Sequence, residues 1–452
     1  MRLFFAILLC KLVRLVLRLA GRGGTALPGK IALRVCPDML SRLSRGVTAV
    51  MVTGTNGKTT TCRMLEQMLR DAGRDCFANR SGSNLERGIA ADFAANANLF
   101  GRPKRRFAVI ECDEAAFRRV CGEVKPAVAV VTNIFRDQLD RYGEVTHTLA
   151  GIREGLTHSP ETRVCLNADC SLTASLAPDA PDRVRFFGMD AALGEAAAVS
   201  DAPRCIFCGA EYEYDYHTFA HLGGFRCPKC GYHRQTPQVA VTKVLATGAD
   251  SSDIILDIFG HEHEVHVNLP GGYNIYNAAA EAAVAHVVGI DEQTAVSALS
   301  QFECGFGRAE QFKLGQAQAR MMLVKNPAGF NQVINLIAHD EGNYKLAFLL
   351  NDRFADGTDI SWIWDVDFEA LADQQVRFTR VLVSGVRADD MALRLKYAGF
   401  APERIEVIRE YDRLLTEIGS DETPAFLMPT YTAMFDLRGE ISKHTDVKAF
   451  YE

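Results

Sequence analysis

The sequence lacks an apolar run long enough to span a membrane without interruption. Its most apolar stretch, residues 1–19, is interrupted by Lys11, Arg14 and Arg18, and no small-residue cleavage site of a signal peptide follows it cleanly. No internal repeat or low-complexity tract is evident either. What remains is an ordinary globular chain, for which 452 residues with 48% hydrophobic content predict about three domains.

A basic excess is also missing. The formal net charge is −6 and the isoelectric point is near 6.0, whereas an extended nucleic-acid surface needs a basic face to neutralise phosphates. Nucleic acid is therefore not expected as a partner. The thirteen cysteines do not form a disulfide framework, because the count is odd and the chain is long, so a reducing cytoplasm is the expected location.

Four of the cysteines occur in two CxxC pairs with eighteen residues between them. The four are Cys205, Cys208, Cys227 and Cys230. Each pair is followed by a glycine, and the spacing is that of a zinc ribbon, in which four thiolates complete a tetrahedral Zn²⁺ site with no open position. We predict structural zinc in a ribbon inserted at residues 201–235; the alternative is four unligated cysteines.

The basic residues near the N-terminus fall on one face of a predicted helix. Lys11, Arg14 and Arg18 have the spacing i, i+3 and i+7, and the other face carries Leu, Val and Phe. A basic amphipathic helix can lie on an anionic membrane surface, which would place the protein at the inner face of the cell membrane. The interpretation favoured from the sequence is a helix that packs its apolar face on the protein and exposes its charges.

Residues 47–61 (VTAVMVTGTNGKTTT) predict a buried strand, a glycine-rich loop and a helix start. The loop glycines let the backbone close around an anion, Lys58 supplies a charge for the β- and γ-phosphates, and the Thr59 hydroxyl is placed to ligate Mg²⁺. The spacing departs from GxxxxGK[ST], since Val52 stands where the first glycine would be. The pattern predicts ATP or GTP. The predicted nucleotide-binding residues of this loop are Gly54, Thr55, Asn56, Gly57, Lys58, Thr59 and Thr60.

TGTNGKTT resembles the ATP loop of the Mur ligase superfamily, whose members join a carboxylate to an amine. Glu111, which ends a predicted strand, resembles the superfamily's acidic Mg²⁺ ligand. Residues 132–140 (TNIFRDQLD) resemble its TNxxxDHLD segment, with Gln138 where a metal-binding histidine is usual. An amide oxygen can still ligate Mg²⁺, so Gln138 is kept as a candidate ligand. For Asp137 and Asp140, the alternative is a solvated helix cap.

Two later segments carry the same resemblance. Residues 272–279 (GYNIYNAA) resemble the helix start that contacts adenine, which implies nucleotide contacts for Asn274 and Asn277. Residues 307–310 (GRAE) resemble the segment that reaches ribose and phosphate, which implies such a contact for Arg308. Alone, the two asparagines could simply cap a helix.

The chain also departs from the amino-acid-adding ligases. Only about fifty residues precede Gly54, too few for the UDP-binding domain that muramyl peptide ligases place there, so we expect a substrate that is not held through UDP. Met322 and Lys325 stand where those ligases usually have an acidic residue and a histidine. Recognition of an incoming amino acid is thereby put in doubt.

Over nearly the whole chain the pattern resembles the MurT-type subunits of lipid II isoglutaminyl synthase. The segments that carry this resemblance are GRGGTALPG (21–29), GSNL (82–85), TNIFRDQLDRYG (132–143), the ribbon, KNPAGFNQ (325–332) and ADGTDISWIWD (355–365). The resemblance implies phosphorylation of the α-carboxylate of D-glutamate in the lipid II stem peptide by Mg-ATP, then attack by ammonia to give D-isoglutamine. Lys58 and Glu111 would be catalytic.

Ammonia should come from another protein, because this sequence has no GxCxG nucleophile elbow. The resemblance implies a class I glutamine amidotransferase subunit of the GatD type as partner in a heterodimer. The resemblance also implies that the ligase contributes an aspartate to the partner's Cys-His site. The candidates are Asp356, Asp359 and Asp365. The alternative for this segment is an Asp-Gly turn followed by a buried strand with Trp362 and Trp364.

The expected fold is α/β. A Mur ligase-like P-loop nucleotide-binding domain (46–305) with an inserted four-cysteine zinc ribbon would follow an N-terminal helical segment (1–45) and precede a Rossmann-like α/β domain (306–452). The predicted strands are 47–52, 107–111, 128–131, 164–167, 345–350 and 380–384. Two other functions stay open: an amino-acid-adding ligase of the folylpolyglutamate type, and a nucleotide-dependent nucleic-acid-binding or scaffold protein that uses the ribbon.

Overall fold

The structure, a computed structural model, describes residues 1–19, 26–79, 83–136, 145–191, 201–248, 251–302 and 308–443. Along these ranges the strands are β1 (Thr48–Thr53), β2 (Cys76–Ala78), β3 (Phe107–Glu111), β4 (Val128–Val131), β5 (Arg163–Asn167), β6 (Val184–Met189), β7 (Glu213–Phe219), β8 (Leu222–Arg226), β9 (Val239–Thr247), β10 (Ser252–Ile258), β11 (His261–Val267), β12 (Arg308–Leu314), β13 (Ala317–Met322), β14 (Tyr344–Leu349), β15 (Phe378–Ser384), β16 (Ile405–Val407) and β17 (Ala425–Pro429). The α-helices are α1 (Arg2–Leu19), α2 (Ala26–Val35), α3 (Met39–Leu43), α4 (Lys58–Asp71), α5 (Glu86–Asn96), α6 (Glu114–Val124), α7 (Val145–Thr157), α8 (Ser171–Ala174), α9 (Gly272–Val288), α10 (Glu292–Gln301), α11 (Pro327–His339), α12 (Glu369–Ala372), α13 (Ala388–Tyr397), α14 (Tyr411–Ile418) and α15 (Tyr431–Ile441).

The larger sheet has nine strands in the order β11-β10-β9-β6-β5-β4-β1-β3-β2. Neighbours from β2 to β9 run parallel, and the hairpins β9-β10 and β10-β11 add an antiparallel edge. The central strands β1 and β4 are buried along nearly their whole length, because helices cover both faces of a parallel sheet. β3 and β4 have the predicted bounds, and the predicted parallel α/β sheet is confirmed.

A second sheet of six strands forms the C-terminal part, in the order β12-β13-β17-β14-β15-β16. All its neighbours are parallel except β12 and β13, which form a hairpin. The predicted strands at 345–350 and 380–384 correspond to β14 and β15. The second predicted α/β unit is therefore confirmed.

The cysteine-rich segment forms the two-stranded antiparallel hairpin β7-β8, which packs on the larger sheet. The ring of Phe219 stacks on Phe135 with centroids 5.7 Å apart. The hydroxyl of Thr218 lies 2.7 Å from that of Tyr276 on α9. These contacts attach the hairpin beside the carboxyl ends of the parallel strands.

Helix α1 forms as predicted, but its orientation contradicts the favoured interpretation. Lys11 donates a hydrogen bond to the carbonyl of Ala97, and Arg14 forms an ion pair with Asp92 on α5 at 3.1 Å. Two of the three basic side chains therefore turn toward the protein. The cause is the surface underneath, because a buried carboxylate and an accepting carbonyl at the end of α5 draw the cations inward.

The exposed face of α1 is apolar. Small and medium side chains, Ala6, Ile7 and Cys10, fill the buried face beside the two basic residues. The exposed apolar side chains of this helix include Phe5, Leu9, Leu12, Leu15, Val16 and Leu19. The expectation that the helix would bury its apolar face and expose its charges is thus wrong for Lys11 and Arg14, whereas Arg18 is exposed as expected. None of the helices in the described ranges is long and apolar enough to cross a membrane.

Candidate functional site

The glycine-rich loop connects β1 to α4 and needs both of its glycines. Gly54 has φ +119° and Gly57 has φ +85°, a region that favours glycine. A Cβ at Gly54 would lie 2.4 Å from Thr132 Oγ1, and one at Gly57 would lie 2.2 Å from Asn277 Oδ1. The loop therefore packs against two other predicted segments and ends at the N-terminus of α4, where backbone N–H groups suit a phosphate.

The segment that follows β4 holds this loop in place. Asn56 N–H donates to Asn133 Oδ1 at 2.9 Å, and Thr132 Oγ1 donates to the Asn56 carbonyl at 2.7 Å. Phe135 N–H donates to Thr55 Oγ1 at 3.0 Å. The sequence indicates Thr132 and Asn133 only as part of the segment that resembles the metal-binding TNxxxDHLD motif. The structure gives them a second role, which is to preset the loop conformation.

Lys58 is buried in an ion pair with Glu114. Its Nζ lies 3.1 Å from Glu114 Oε2 and also donates to the carbonyls of Gly54 and Thr55. Burial raises the pKa of the Glu114 carboxyl, and the Lys58 charge opposes that rise. Sequence reasoning missed Glu114. The available signal was its position three residues after Glu111, at the first position of α6.

Glu111 lies at the carboxyl end of β3, beside β1 in the parallel register. The Asn79 side chain forms two hydrogen bonds with the Glu111 backbone. Its Oδ1 accepts from Glu111 N–H at 2.8 Å, and its Nδ2 donates to the Glu111 carbonyl at 2.7 Å. Asn84 Nδ2 lies 3.3 Å from Glu111 Oε1. Because the carboxyl ends of parallel strands meet at one edge of the sheet, this carboxylate and the glycine-rich loop between β1 and α4 (below called the phosphate loop) lie at the same edge. A carboxylate oxygen there suits Mg²⁺.

The other predicted loop and metal residues divide into two groups. Thr59 and Thr60 occupy the first turn of α4, where Thr59 is half-buried and Thr60 is buried. Gln138 lies outside the described residues, as does the side chain of Arg308, whose backbone begins β12. Their predicted roles stay predictions.

Asn274 and Asn277, in the first turns of α9, meet the loop. Asn277 Nδ2 donates to Asn274 Oδ1 at 3.0 Å, and Thr61 Oγ1 donates to Asn277 Oδ1 at 3.2 Å. Asn274 Nδ2 donates to the Pro270 carbonyl at 2.7 Å. The pair therefore links the start of α9 to α4, so that two segments more than two hundred residues apart are joined at the predicted nucleotide site.

The C-terminal part reaches over the same loop. Lys325 Nζ donates to the Thr55 carbonyl at 3.2 Å, and Asn326 Nδ2 donates to Asn56 Oδ1 at 3.0 Å. Asn326 also caps α11, since its Oδ1 accepts from Gly329 N–H at 2.8 Å. In the sequence alone, Lys325 is only a departure from the pattern of the amino-acid-adding ligases. In the structure its ammonium adds a second positive charge beside Lys58 and Glu114.

A cavity of about 80 Å³ lies between the loop and the C-terminal part. Its walls include Asn56 from the loop, Asn277 from α9, Phe219 from the hairpin, and Lys325 and Gln332 from the C-terminal part. The hairpin thus contributes directly to the wall of the candidate site, a contribution that the sequence did not predict.

The three candidate aspartates differ in their surroundings. Asp356 is buried, and its carboxylate accepts from Thr432 N–H at 2.7 Å and from the Thr432 hydroxyl at 2.5 Å. Asp359 is exposed, and hydrogen bonds from Ser361 lower its pKa. Asp365 is exposed, 3.6 Å from an Arg136 nitrogen.

The segment after the Asp-Gly pair is not a strand. Residues Ser361–Asp365 form a 3₁₀ turn, and Trp364 is half exposed. The alternative of a buried strand is therefore wrong. The Trp364 ring packs edge-on against Tyr397 with centroids 5.7 Å apart, and the Arg394 guanidinium lies 5.5 Å from its centre.

The four cysteines of the CxxC pairs converge. Their sulfur atoms all lie within 4.8 Å of one another, with Cys205 and Cys230 at 3.6 Å and Cys208 and Cys227 at 3.4 Å. Four thiolates at ~2.3 Å from a tetrahedral Zn²⁺ would lie ~3.8 Å apart. The glycines after each pair, with φ near +73° and +76°, donate N–H groups back to the first cysteine of the pair. The donor set and the spacing fit zinc.

Comparisons with known proteins match both parts of the chain to Mur ligase and MurT proteins. The family model described as Mur ligase middle domain matches residues 52–205, and that described as MurT ligase C-terminal matches residues 323–434. The chain is 35% identical over 428 residues, covering 94% of it and 93% of the relative, to the Streptococcus pneumoniae protein named lipid II isoglutaminyl synthase (glutamine-hydrolyzing) subunit MurT. It is 33% identical over 450 residues, 98% of each chain, to the Staphylococcus aureus protein of the same name.

A solved structure shares the fold. The pseudomurein peptide ligase type C from Methanothermus fervidus superposes with a TM-score of 0.64 at 22% identity, covering 88% of this chain and 79% of that one. This likeness supports the Mur ligase-like α/β architecture with parallel sheets.

Proposed function

The chain belongs to the MurT family, and from that membership we propose that it is the ATP-dependent ligase subunit of a lipid II isoglutaminyl synthase. The observation that carries the proposal, beside the full-length similarity, is the contact of Lys325 and Asn326 with the phosphate loop. These contacts support a site in which the family-specific C-terminal part covers the glycine-rich loop, where a nucleotide would transfer its phosphoryl group. An activated carboxylate would form in the cavity between them.

The proposed reaction has two steps. An α-carboxylate oxygen of D-glutamate in the lipid II stem peptide bonds to the γ-phosphorus of ATP as the bond to ADP breaks. Ammonia then attacks the carbonyl carbon, phosphate leaves, and a proton passes to solvent, which gives D-isoglutamine. Both steps move negative charge onto phosphate oxygens, so fixed positive charge at the loop is the main catalytic requirement.

The loop residues are suited to that requirement. Lys58 would leave Glu114 to contact the β- and γ-phosphates, and Lys325 would add positive charge from the other wall. Asn274, Asn277 and Arg308 would contact the nucleoside and the sugar-phosphate part. Glu111, with Thr59 and Gln138, would hold Mg²⁺, which neutralises phosphate charge when it is bound.

The group of four cysteines would hold a structural Zn²⁺, because four thiolates leave no position for substrate. Its role would be to fix the hairpin whose Phe219 lines the cavity. We retain the division into residues 1–45, 46–305 with the ribbon at 201–235, and 306–452 as part of the proposal.

Ammonia would be supplied by a separate class I glutaminase subunit of the GatD type, in a heterodimer. Asp359 and Asp365 are exposed, so their carboxylates would be accessible to a partner's histidine. The Asp356 carboxylate is buried and already accepts a hydrogen bond from Thr432 N–H. The exposed pair Trp364 and Tyr397 lies next to Asp365, and aromatic side chains of this kind often anchor protein interfaces. The complex would act in the cytoplasm, at the membrane face where lipid II is presented.

The test is mass spectrometry of lipid II after incubation with the chain, Mg-ATP and excess ammonium, with and without a class I glutaminase subunit and glutamine. An acid-to-amide mass change with ammonium alone is expected. Lys58→Met should abolish it, whereas the exposed control Lys396→Met should not. Amidation by the Lys58 variant at the wild-type rate would contradict the proposal. Transfer of an amino acid in place of ammonia would identify an amino-acid-adding ligase.

A further inference from the structure

The outward face of α1 is a continuous apolar stripe. Phe5, Leu9, Leu12, Val16 and Leu19 follow at intervals of three and four residues, the spacing of one helix face. Each is exposed, with exposed fractions from 37% for Leu9 to 81% for Leu19. Isolated exposed apolar residues are normal, but an aligned row along a five-turn helix marks a contact surface.

The helix cannot hide this stripe by rotating. Three contacts hold its inner face against the protein. Lys11 donates a hydrogen bond to Ala97, Arg14 forms an ion pair with Asp92, and the Cys10 side chain is buried. A rotation would bury the stripe only by taking both cations off their partners and leaving Asp92 unpaired in the interior, which is strongly unfavourable. The exposure of the stripe is therefore a property of the fold.

A basic loop lies at the N-terminal end of the stripe. Phe100, at its tip, is 79% exposed and lies 6.0 Å, between ring centroids, from Phe4 of α1. The same loop carries four exposed basic side chains. They are Arg102, Lys104, Arg105 and Arg106. The apolar stripe thus continues into an exposed aromatic ring on a loop that also carries exposed basic side chains.

Charge identifies the kind of surface that this face would meet. Residues 1–45 contain nine basic residues, of which Lys11 and Arg14 turn inward, and one acidic residue, Asp38, although the whole chain has a net charge of −6. The Asp38 carboxylate is paired with Arg42 at 2.8 Å. A second copy of the chain would bring the same positive charge against itself, whereas an anionic bilayer offers an apolar boundary together with negative headgroups.

We propose that the outer face of α1 and the loop 98–106 form a membrane-docking surface that binds an anionic phospholipid bilayer, with the Phe5-to-Leu19 stripe at the acyl boundary and the basic side chains at the headgroups. The helix would lie in the membrane plane and would not cross it. The surface is defined without reference to the proposed reaction. A vesicle assay that contains no lipid II and no ATP therefore tests it separately from the ligase activity.

The experiment is co-sedimentation of the full chain with vesicles of phosphatidylcholine alone or with about 30% phosphatidylglycerol, at low and at about 0.5 M salt. Binding to the anionic vesicles is expected, reduced at high salt and weak on the neutral ones. The triple variant L9Q/L12Q/V16Q should lower the bound fraction at least ~tenfold, because it removes the side chains that insert. The variant R102Q/K104Q/R106Q should weaken the preference for anionic vesicles, because it removes three of the basic side chains at the headgroups.

The control variant V376Q/V386Q removes two exposed apolar side chains from the C-terminal part and should bind vesicles as the wild type does. Circular dichroism and thermal unfolding of each variant confirm the fold, which exposed substitutions should preserve. Absence of vesicle binding by the wild type, or equal binding by L9Q/L12Q/V16Q, overturns the proposal. So does a dimer of the wild type, measured by sedimentation without lipid, that the triple variant converts to monomer, since the stripe would then bind a second copy.

Discussion

Lys58 and Glu114 form a buried ion pair within the candidate nucleotide site, with Nζ 3.1 Å from Oε2. In this arrangement the carboxylate takes the place that a phosphate would have beside the lysine. Nucleotide binding would then exchange one anionic partner of Lys58 for another. The buried lysine would have a counter-charge in both states, which reduces the cost of keeping it inside the protein.

Glu114→Gln should destabilise the nucleotide-free protein by roughly 2–4 kcal/mol, because it leaves Lys58 buried without its carboxylate. Mg-ATP should restore part of that loss, so the increase in melting temperature on adding nucleotide should be larger in the variant than in the wild type. The matched control is Glu154→Gln, which breaks the exposed pair with Arg118 and should change stability by less than ~0.5 kcal/mol. Equal nucleotide shifts in Glu114→Gln and wild type would show that the pair does not compete with phosphate.

Gly57→Ala should reduce nucleotide affinity at least ~100-fold, because a Cβ there would lie 2.2 Å from Asn277 Oδ1 and force the loop away from α9. Gly73→Ala is the matched control, since Gly73 also has positive φ but nothing lies within 4 Å of its Cβ position. Binding of a fluorescent ATP analogue distinguishes the two. If both variants lose affinity equally, backbone strain and not the contact with Asn277 is responsible.

The free energy of unfolding should depend on pH through Asp92, the buried carboxyl beneath α1. Burial raises the pKa of this carboxyl to about 6, and Arg14 opposes the rise. Because this value lies above ~3.9 in the unfolded chain, the folded state takes up the proton first as pH falls. The contribution of Asp92 to stability is therefore smallest above its folded pKa and grows as the pH falls toward ~4.

Relative to Asp92→Asn, which does not titrate, the wild type should gain about 1–2 kcal/mol of unfolding free energy between about pH 7.5 and about pH 5. Urea unfolding of both proteins at the two pH values measures this. A difference between them that stays constant with pH would mean that Asp92 is already protonated, or ionised with an ordinary pKa, in the folded protein.

Loss of the four-cysteine group should release metal and loosen the wall of the cavity. The wild type should contain about one Zn²⁺ per chain and Cys208→Ser much less, because three thiolates bind zinc more weakly than four. The variant should also unfold at lower temperature, since Phe219 and Thr218 anchor the hairpin to the larger sheet. Elemental analysis and thermal unfolding are the measurements. Cys62→Ala, in α4 away from the hairpin, should keep its zinc.

Among the candidate aspartates, Asp359→Asn or Asp365→Asn should lower glutamine-dependent amidation by ~100-fold or more in the complex with a glutaminase subunit. Amidation with ammonium should stay near the wild-type rate, because that route bypasses the glutaminase. Asp356→Asn should reduce both rates, since it loses the hydrogen bonds to Thr432. The exposed control is Asp373→Asn. Full glutamine-dependent activity in both exposed variants would remove this segment from the glutaminase site.

The sequence was informative wherever function depends on residues close together in the chain. The loop around Gly57, the strand that ends in Glu111 and the paired cysteines all have local spacings that specify their geometry. The pairing of Lys58 with Glu114 and the contact of Lys325 with Thr55 depend on how separate segments pack, which no local spacing encodes. The orientation of α1 was mispredicted for the same reason, because the buried Asp92 and not the helix's own periodicity decides which face turns inward.

The contact between Lys325 and Thr55 joins residues 270 positions apart. Closing so long a loop of chain is entropically costly and is compensated only when both sheets have formed, so this contact belongs to the late stage of folding. During synthesis the phosphate loop leaves the ribosome long before the segment that covers it. A nascent or truncated chain would thus expose an incomplete loop, and phosphoryl transfer would begin only after the C-terminal sheet has folded against it.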